Sequence, residues 1–216
     1  MTGSVRFILA SASPARRRLL AAAGIAAEVE VSEVDEEAAA QGVTVPTEVA
    51  AALAAAKARD VADRLAPRDA RVFLLGCDSV LEMPEVPQLA GQALGKPADA
   101  AQAVARWRLM RGREGLLHTG HCLVEITGGR TREQSAVATT RVRFAEPSTA
   151  EIEAYVASGE PLRVAGGFTL DGLGGAFVRG VVGDPANVIG LSLPLLRDLM
   201  GAAGVPWPTL WTSTDD

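Results

Sequence analysis

The sequence predicts an α/β fold in which helices flank one elongated, mixed sheet. Two patterns carry that reading. Between Val5 and Val80, strand-like apolar runs alternate with helical segments, as parallel crossovers require. Between Leu116 and Phe144, two longer β-prone runs flank Gly128-Gly129, as an antiparallel hairpin requires. With 216 residues, 48% of them apolar, the chain can bury the core such a sheet needs. It reads as a single domain over residues 1–216, with a mobile tail after about Pro206.

Each element has a local reason. The opening strand Val5 to Ala10 runs into Ser11-Ala12-Ser13-Pro14, where Ser13 can cap a helix and Pro14 can occupy its first position; Gly24 stops that helix. A second strand is expected near Ala27 to Val31, followed by an acidic loop. Thr47 is expected to cap the alanine-rich helix that carries Lys57. Arg71 to Val80 reads as a buried strand ending in Cys77-Asp78-Ser79, and a Pro- and Gly-rich excursion returns at Ala93 to Pro97 as a wide hairpin. Asp99 caps a helix reaching about Met110. Ser148 and Glu151 form a capping-box pattern for a helix ending at Gly159, a short strand covers Ala176 to Val182, and a last helix begins near Pro194.

Composition excludes several classes of protein. No apolar run approaches the 18 or so residues of a membrane span, and the N-terminus lacks the order of a signal peptide, so a cytoplasmic protein with no membrane association is expected. Cys77 and Cys122 lack metal-ligand spacing and read as free thiols. A net charge of -5 spread along the chain argues against stable nucleic-acid binding, so any polyanion must be gripped locally. The chain holds 21 basic residues, yet only Lys57 and Lys96 are lysine. Where arginine fills nearly every cationic position, two retained lysines suggest sites that need a compact ammonium rather than a planar fork.

Four segments offer chemistry. Ser11 to Arg18 lies at a strand-to-helix junction, where free N–H groups, hydroxyls and arginines can cradle a phosphate; a capped helix with a basic solvated face fits equally. Asp78 ends an apolar strand, a usual ligand position in open α/β sheets, although a turn aspartate is the plain alternative. Glu33, Asp35, Glu36 and Glu37 can hold magnesium against a triphosphate, or form a solvated acidic loop. Cys77 with His118 or His121 as base would make a nucleophilic hydrolase, but cysteine and histidine in apolar strands are usually core residues. The glycine-rich run Ala165 to Gly175 fails the dinucleotide-binding fingerprint.

In their order along the chain these segments resemble the Maf family of nucleotide pyrophosphatases. Leu9-Ala10-Ser11-Ala12-Ser13-Pro14-Ala15-Arg16, Val34-Asp35-Glu36, Ala54-Ala55-Ala56-Lys57-Ala58, Gly76-Cys77-Asp78-Ser79, Gly95-Lys96-Pro97, Tyr155 to Pro161 with Ala165 to Phe168, and Asn187 to Leu191 match its motifs in sequence. The resemblance implies an elongated fold with two lobes around a central cleft, similar to the inosine triphosphatases, and usually a homodimer. It implies hydrolysis of a nucleoside triphosphate to the monophosphate and pyrophosphate with help from Mg2+ or Mn2+. Ser11, Arg16, Lys57 and Lys96 would hold the phosphates, Glu36 and Asp78 the metal, and Asp78 would be the general base. The positions that separate the family's substrate branches are Ala15, Ser79 and Asp171, and these residues match neither the branch acting on dTTP and UTP nor that acting on 7-methyl-GTP. A family histidine after the helix near Met110 is replaced by Gly115. A second reading, a nucleotide-binding regulatory module in cell-division arrest, has also been proposed for the family.

Overall fold

The computed structural model describes residues 5–65 and 71–212. Its six strands form one sheet in the order β2-β1-β3-β4-β5-β6. These are β1 (Arg6–Leu9), β2 (Ala27–Val29), β3 (Val72–Glu82), β4 (Glu114–Thr127), β5 (Arg130–Phe144) and β6 (Val178–Val182). The helices are α1 (Pro14–Ala22), α2 (Glu36–Ala39), α3 (Pro46–Arg64), α4 (Ala100–Met110), α5 (Thr149–Ala157), α6 (Pro185–Ile189) and α7 (Leu193–Ala202). β1 pairs in parallel with β2 and β3, while β3, β4, β5 and β6 pair antiparallel. The mixed sheet with flanking helices is therefore the one the sequence predicts.

Strand alternation sorts side chains to two faces. Phe7, Leu9, Phe73, Leu75 and Cys77 pack under α1 and α7, together with Leu20, Leu196 and Met200. Ile8, Val72, Leu74, Cys122 and Val124 pack under α3. Toward the β6 end a separate core forms around Trp107 of α4, whose indole meets Phe144, Tyr155 and Phe177 edge-on. Its N–H donates to the Gly167 carbonyl at 2.8 Å.

The alanine-rich α3 lies unusually close to the sheet. A Cβ at Gly76 would stand 2.3 Å from the Ala54 carbonyl oxygen, and one at Gly120 would stand 2.1 Å from that of Ala50. Bare backbone on β3 and β4 beneath small helical residues is what brings Lys57, at mid-helix, down to β3.

Several local expectations are corrected. α3 starts two residues earlier than a Thr47 cap would place it: Pro46 takes the first helical position, Val45 is the cap residue, and no side-chain cap bond forms. The acidic segment after β2 is not a loop throughout, because Asp35 caps α2 through the N–H groups of Glu37 and Ala38. Asp184 caps α6 in the same way through Ala186 N–H. The wide hairpin shrinks to a single bridge, Leu81 with Leu94. The segment after Pro206 is packed at least as far as Thr212: Leu210 is buried, and Trp211 bridges to Ile25. The remaining tail lies outside the described residues. Gly115 occupies a site with no room for a side chain, since a Cβ there would lie 2.7 Å from the Met83 sulfur.

Candidate active site

β3 does not end at Ser79. It continues to Glu82, paired throughout with β4. What ends here is β1, whose last pairing is Leu9 with Leu75, closed by Ala10 N–H to the Leu75 carbonyl at 2.9 Å. On that same edge the chain next pairs at Leu81 with Leu94. Between them, Gly76 to Val80 face a gap in the sheet. Ser11 follows β1 on one side of the gap, and Lys96 follows Leu94 on the other. This is the crevice beyond a strand end in which open α/β sheets bind ligands, set by β1 rather than by β3.

Asp78 and Ser79 point to opposite faces of this gap. On the α3 face, Lys57 Nζ contacts Asp78 Oδ1 and lies 2.7 Å from Glu36 Oε1. Lys57 and Asp78 are both largely buried, and Glu36 is about half exposed. Burial alone would raise the Glu36 carboxyl; the hydrogen bond from Lys57 and the charges of Lys57, Lys96 and Arg16 outweigh it and hold the group below its usual range. Three cations thus act on one carboxylate, and three of the predicted site residues, Glu36, Lys57 and Asp78, are in direct contact there.

On the α1 face, Ser13 caps α1 by accepting from Arg16 N–H, and Pro14 takes its first position. The Arg16 side chain is 8% exposed. Its Nε donates to the Gly190 carbonyl at 2.7 Å, one terminal nitrogen to Ser11 Oγ at 3.1 Å, and the other to Ser79 Oγ at 3.2 Å. Gly190 ends α6 with φ +127, a conformation that L side chains rarely adopt, and its carbonyl receives the arginine.

The specificity candidates lie further out. Ala15 is half-buried on α1. Asp171 is bound by Arg18, which the sequence placed only in the Ser11 to Arg18 phosphate cradle: Arg18 donates to its Oδ2 at 2.9 Å. The loop bearing Asp171 is folded around Glu160, whose carboxylate accepts from Tyr155 Oη, Thr169 Oγ1, Leu173 N–H and Gly174 N–H. Burial pulls the Glu160 carboxyl up, but these donors win and hold it below its usual range. Thr119, which the sequence did not mark, is fully buried here, as are Asn187 of the last matched motif and His121, read as a candidate base for Cys77. His121 accepts Ser192 N–H on Nε2 at 2.9 Å while its Nδ1 lies 3.0 Å from the Thr119 carbonyl, which fixes the neutral tautomer with hydrogen on Nδ1. Desolvation, assisted by the Arg16 charge, pushes its pKa down to about 4. Neither histidine serves Cys77, whose thiol burial pushes up to about 12: His121 is held by backbone, and His118 bonds Glu82 and Thr139. The cysteine-nucleophile reading has no geometry behind it.

Among the described residues, no group of three or more His, Cys, Asp or Glu side chains forms a closed metal cage. Two carboxylates converging on one cationic point instead match the donor set of Mg2+, which takes one or two protein carboxylates and completes its shell with substrate oxygens and water.

The chain is 54% identical over 215 residues to the nucleoside triphosphate pyrophosphatase of Salinispora tropica, covering 98% of this chain and 91% of that one. It is 55% identical to a protein of the same name from Streptomyces coelicolor, with coverage of 98% and 97%. A third of that name, from Synechococcus elongatus, is 49% identical with coverage of 95% and 97%. A solved dITP/XTP pyrophosphatase from Mycobacterium abscessus is similar at 15% identity and a TM-score of 0.38 over 92% of this chain and 93% of that one. The model of the Maf-like protein family matches residues 6–203, from the first residue of β1 to the end of the helix that covers it, and the chain belongs to that family.

Proposed function

We propose that the chain is a nucleoside triphosphate pyrophosphatase, releasing the monophosphate and pyrophosphate at the gap beside β3. The observation that carries this is the pairing of Lys57 with both Glu36 and Asp78 in the gap, where the charges of Lys96 and Arg16 also act on Glu36. Taken as charges, three cations and two carboxylates leave +1 in a crevice of a chain whose net charge is -5. That is a local grip for a polyanion within an otherwise acidic protein.

Ser11 and Arg16 hold phosphate oxygens on the α1 face, and Lys57 and Lys96 do so across the gap. Glu36 and Asp78 are the residues that would hold a divalent cation, which supplies charge neutralisation for the triphosphate when bound. Asp78 accepts the proton of the water that attacks the α-phosphorus, and the α–β bridging oxygen leaves with pyrophosphate. Lys57, fixed by α3, keeps Asp78 and Glu36 aimed at one point, so positioning is built in before substrate arrives. The same reading carries a cytoplasmic setting, supported by two buried free thiols, one folding unit, supported by the single sheet, and a homodimer, as the family resemblance implies.

The test is a panel of nucleoside triphosphates incubated with Mg2+ or Mn2+, reading pyrophosphate. Asp78→Asn should lose on the order of 10³-fold in kcat while melting as wild type does. Folded wild-type protein that releases pyrophosphate from none of them would sink the hydrolase and favour a nucleotide-binding module. Near-normal turnover by Asp78→Asn would remove that residue from its role.

A further inference from the structure

The buried Arg16 guanidinium has no carboxylate within ion-pair distance among the described residues; its partners are a carbonyl and two hydroxyls. One of those hydroxyls is itself held. Ser79 Oγ lies 2.9 Å from Thr119 Oγ1, and Thr119 Oγ1 donates to the Asn187 carbonyl at 3.2 Å. With these bonds made, every proton is assigned. A guanidinium only donates and a carbonyl only accepts, so Thr119 gives its proton to Asn187, Ser79 gives its own to Thr119, and Arg16 donates to Ser79. The far end of this relay is rigid: Asn187 Nδ2 donates to the Leu117 and Ala138 carbonyls, which fastens α6 to β4 and β5. Of the five N–H groups of a guanidinium, three are committed to protein, leaving one on each terminal nitrogen for a ligand.

We propose that Ser79 and Thr119 are positioning residues for the substrate's phosphates, setting the plane of Arg16 through a directed relay that ends on α6. Ser79 has no proton left to offer a nucleobase; through its hold on Arg16 it acts on phosphate affinity, and that contribution is the same for every base. This deepens the proposed function, because it rests on Arg16 being a phosphate ligand.

The experiment compares Ser79→Ala, Ser79→Thr, Thr119→Val and Thr119→Ser. KM and kcat are measured with four nucleoside triphosphates, and binding of inorganic triphosphate is measured by calorimetry as a base-free probe. Ser79→Ala and Thr119→Val should weaken inorganic triphosphate and raise KM for all four nucleotides by one common factor, roughly tenfold, with kcat changed about threefold or less. The hydroxyl-retaining variants Ser79→Thr and Thr119→Ser should bind as wild type does. A change in the ranking of bases with unchanged triphosphate binding would assign Ser79 to the base and overturn the proposal, as would no effect at all. Equal loss in Thr119→Ser and Thr119→Val would trace it to packing and overturn it too; Thr119→Val decides if Ser79→Ala does not fold. Wild-type protein that cleaves no nucleotide would defeat the hydrolase reading, while triphosphate titration would still decide the relay.

Discussion

Lys57 and Arg16 sit on opposite faces of the same strand and are held in opposite ways. Lys57 lies between two carboxylates, whereas Arg16 is surrounded by neutral oxygens. A buried charge without a counter-charge is costly, and it is tolerated where the geometry is good and where a ligand completes the balance. Lys57 therefore organises anions the protein already owns, while Arg16 awaits one it does not. The difference also explains the residue types. A compact ammonium fits the point where Glu36 and Asp78 meet, and a fixed fork fits three acceptors spread over Ser11, Ser79 and Gly190.

Exchanging the cations breaks or sharpens that contrast. Arg16→Lys replaces a planar fork with a flexible point charge that cannot satisfy three separated acceptors, and about 10²-fold should be lost in kcat/KM. Lys57→Arg retains a cation able to reach both carboxylates and should lose about tenfold. Steady-state kinetics on the best nucleotide decides; a milder effect for Arg16→Lys than for Lys57→Arg would make Lys57, rather than Arg16, the cation whose geometry the phosphates depend on most.

How much of this was legible depends on how local the signal is. The Ser13-Pro14 start of α1, the Gly128-Gly129 hairpin and the Ser148-Glu151 capping box are short-range devices, and all three form as read. Asp35-Glu36 and Asp184-Pro185 carry the same capping chemistry, but four- and five-residue helices are too short to show periodicity and read as loop. Pro46 was the better marker of where α3 begins, because proline at the first helical turn places the cap before it. β3 was cut short because Asp78 and Ser79 interrupt its apolar run; β4, far along the chain, carries it on to Glu82. The charged site residues came from resemblance to a family. Thr119 had no signal, and His121 was read in the wrong role, since a polar residue in an apolar segment looks the same whether it serves the core or the site.

His121 tests the wall behind Arg16. Its folded pKa, about 4, lies below the 6.5 of an exposed histidine. Between those values the unfolded chain binds a proton that the native state refuses, so this group's effect is absent above pH 6.5 and destabilises progressively as pH falls toward 4. The loss amounts to about 3 kcal/mol. In His121→Gln that loss is absent, so denaturant melts should show the wild type's advantage over the variant shrinking by about this amount between pH 7 and pH 4. A constant difference across that range would mean that the imidazole is not held neutral against Ser192.

The smallest effect should come from Arg18. Its ion pair with Asp171 joins α1 to the Glu160 loop across the mouth of the site, but the guanidinium is 66% exposed, and such pairs contribute little stability and are screened by salt. Arg18→Ala should therefore melt within a degree or two of wild type. Its consequence lies in what it frees. Arg18 stands one turn beyond Ala15, so a cation still reaches the specificity loop although position 15 offers none, and Asp171 is occupied before a base arrives. Removing Arg18 should change the ratio of kcat/KM among bases a few-fold at low ionic strength and leave inorganic triphosphate binding unaltered, and 1 M salt should make wild type resemble the variant. A base ranking that ignores both the substitution and salt would leave Arg18 and Asp171 as a surface pair, and would return base choice to the backbone of the loop built on Glu160.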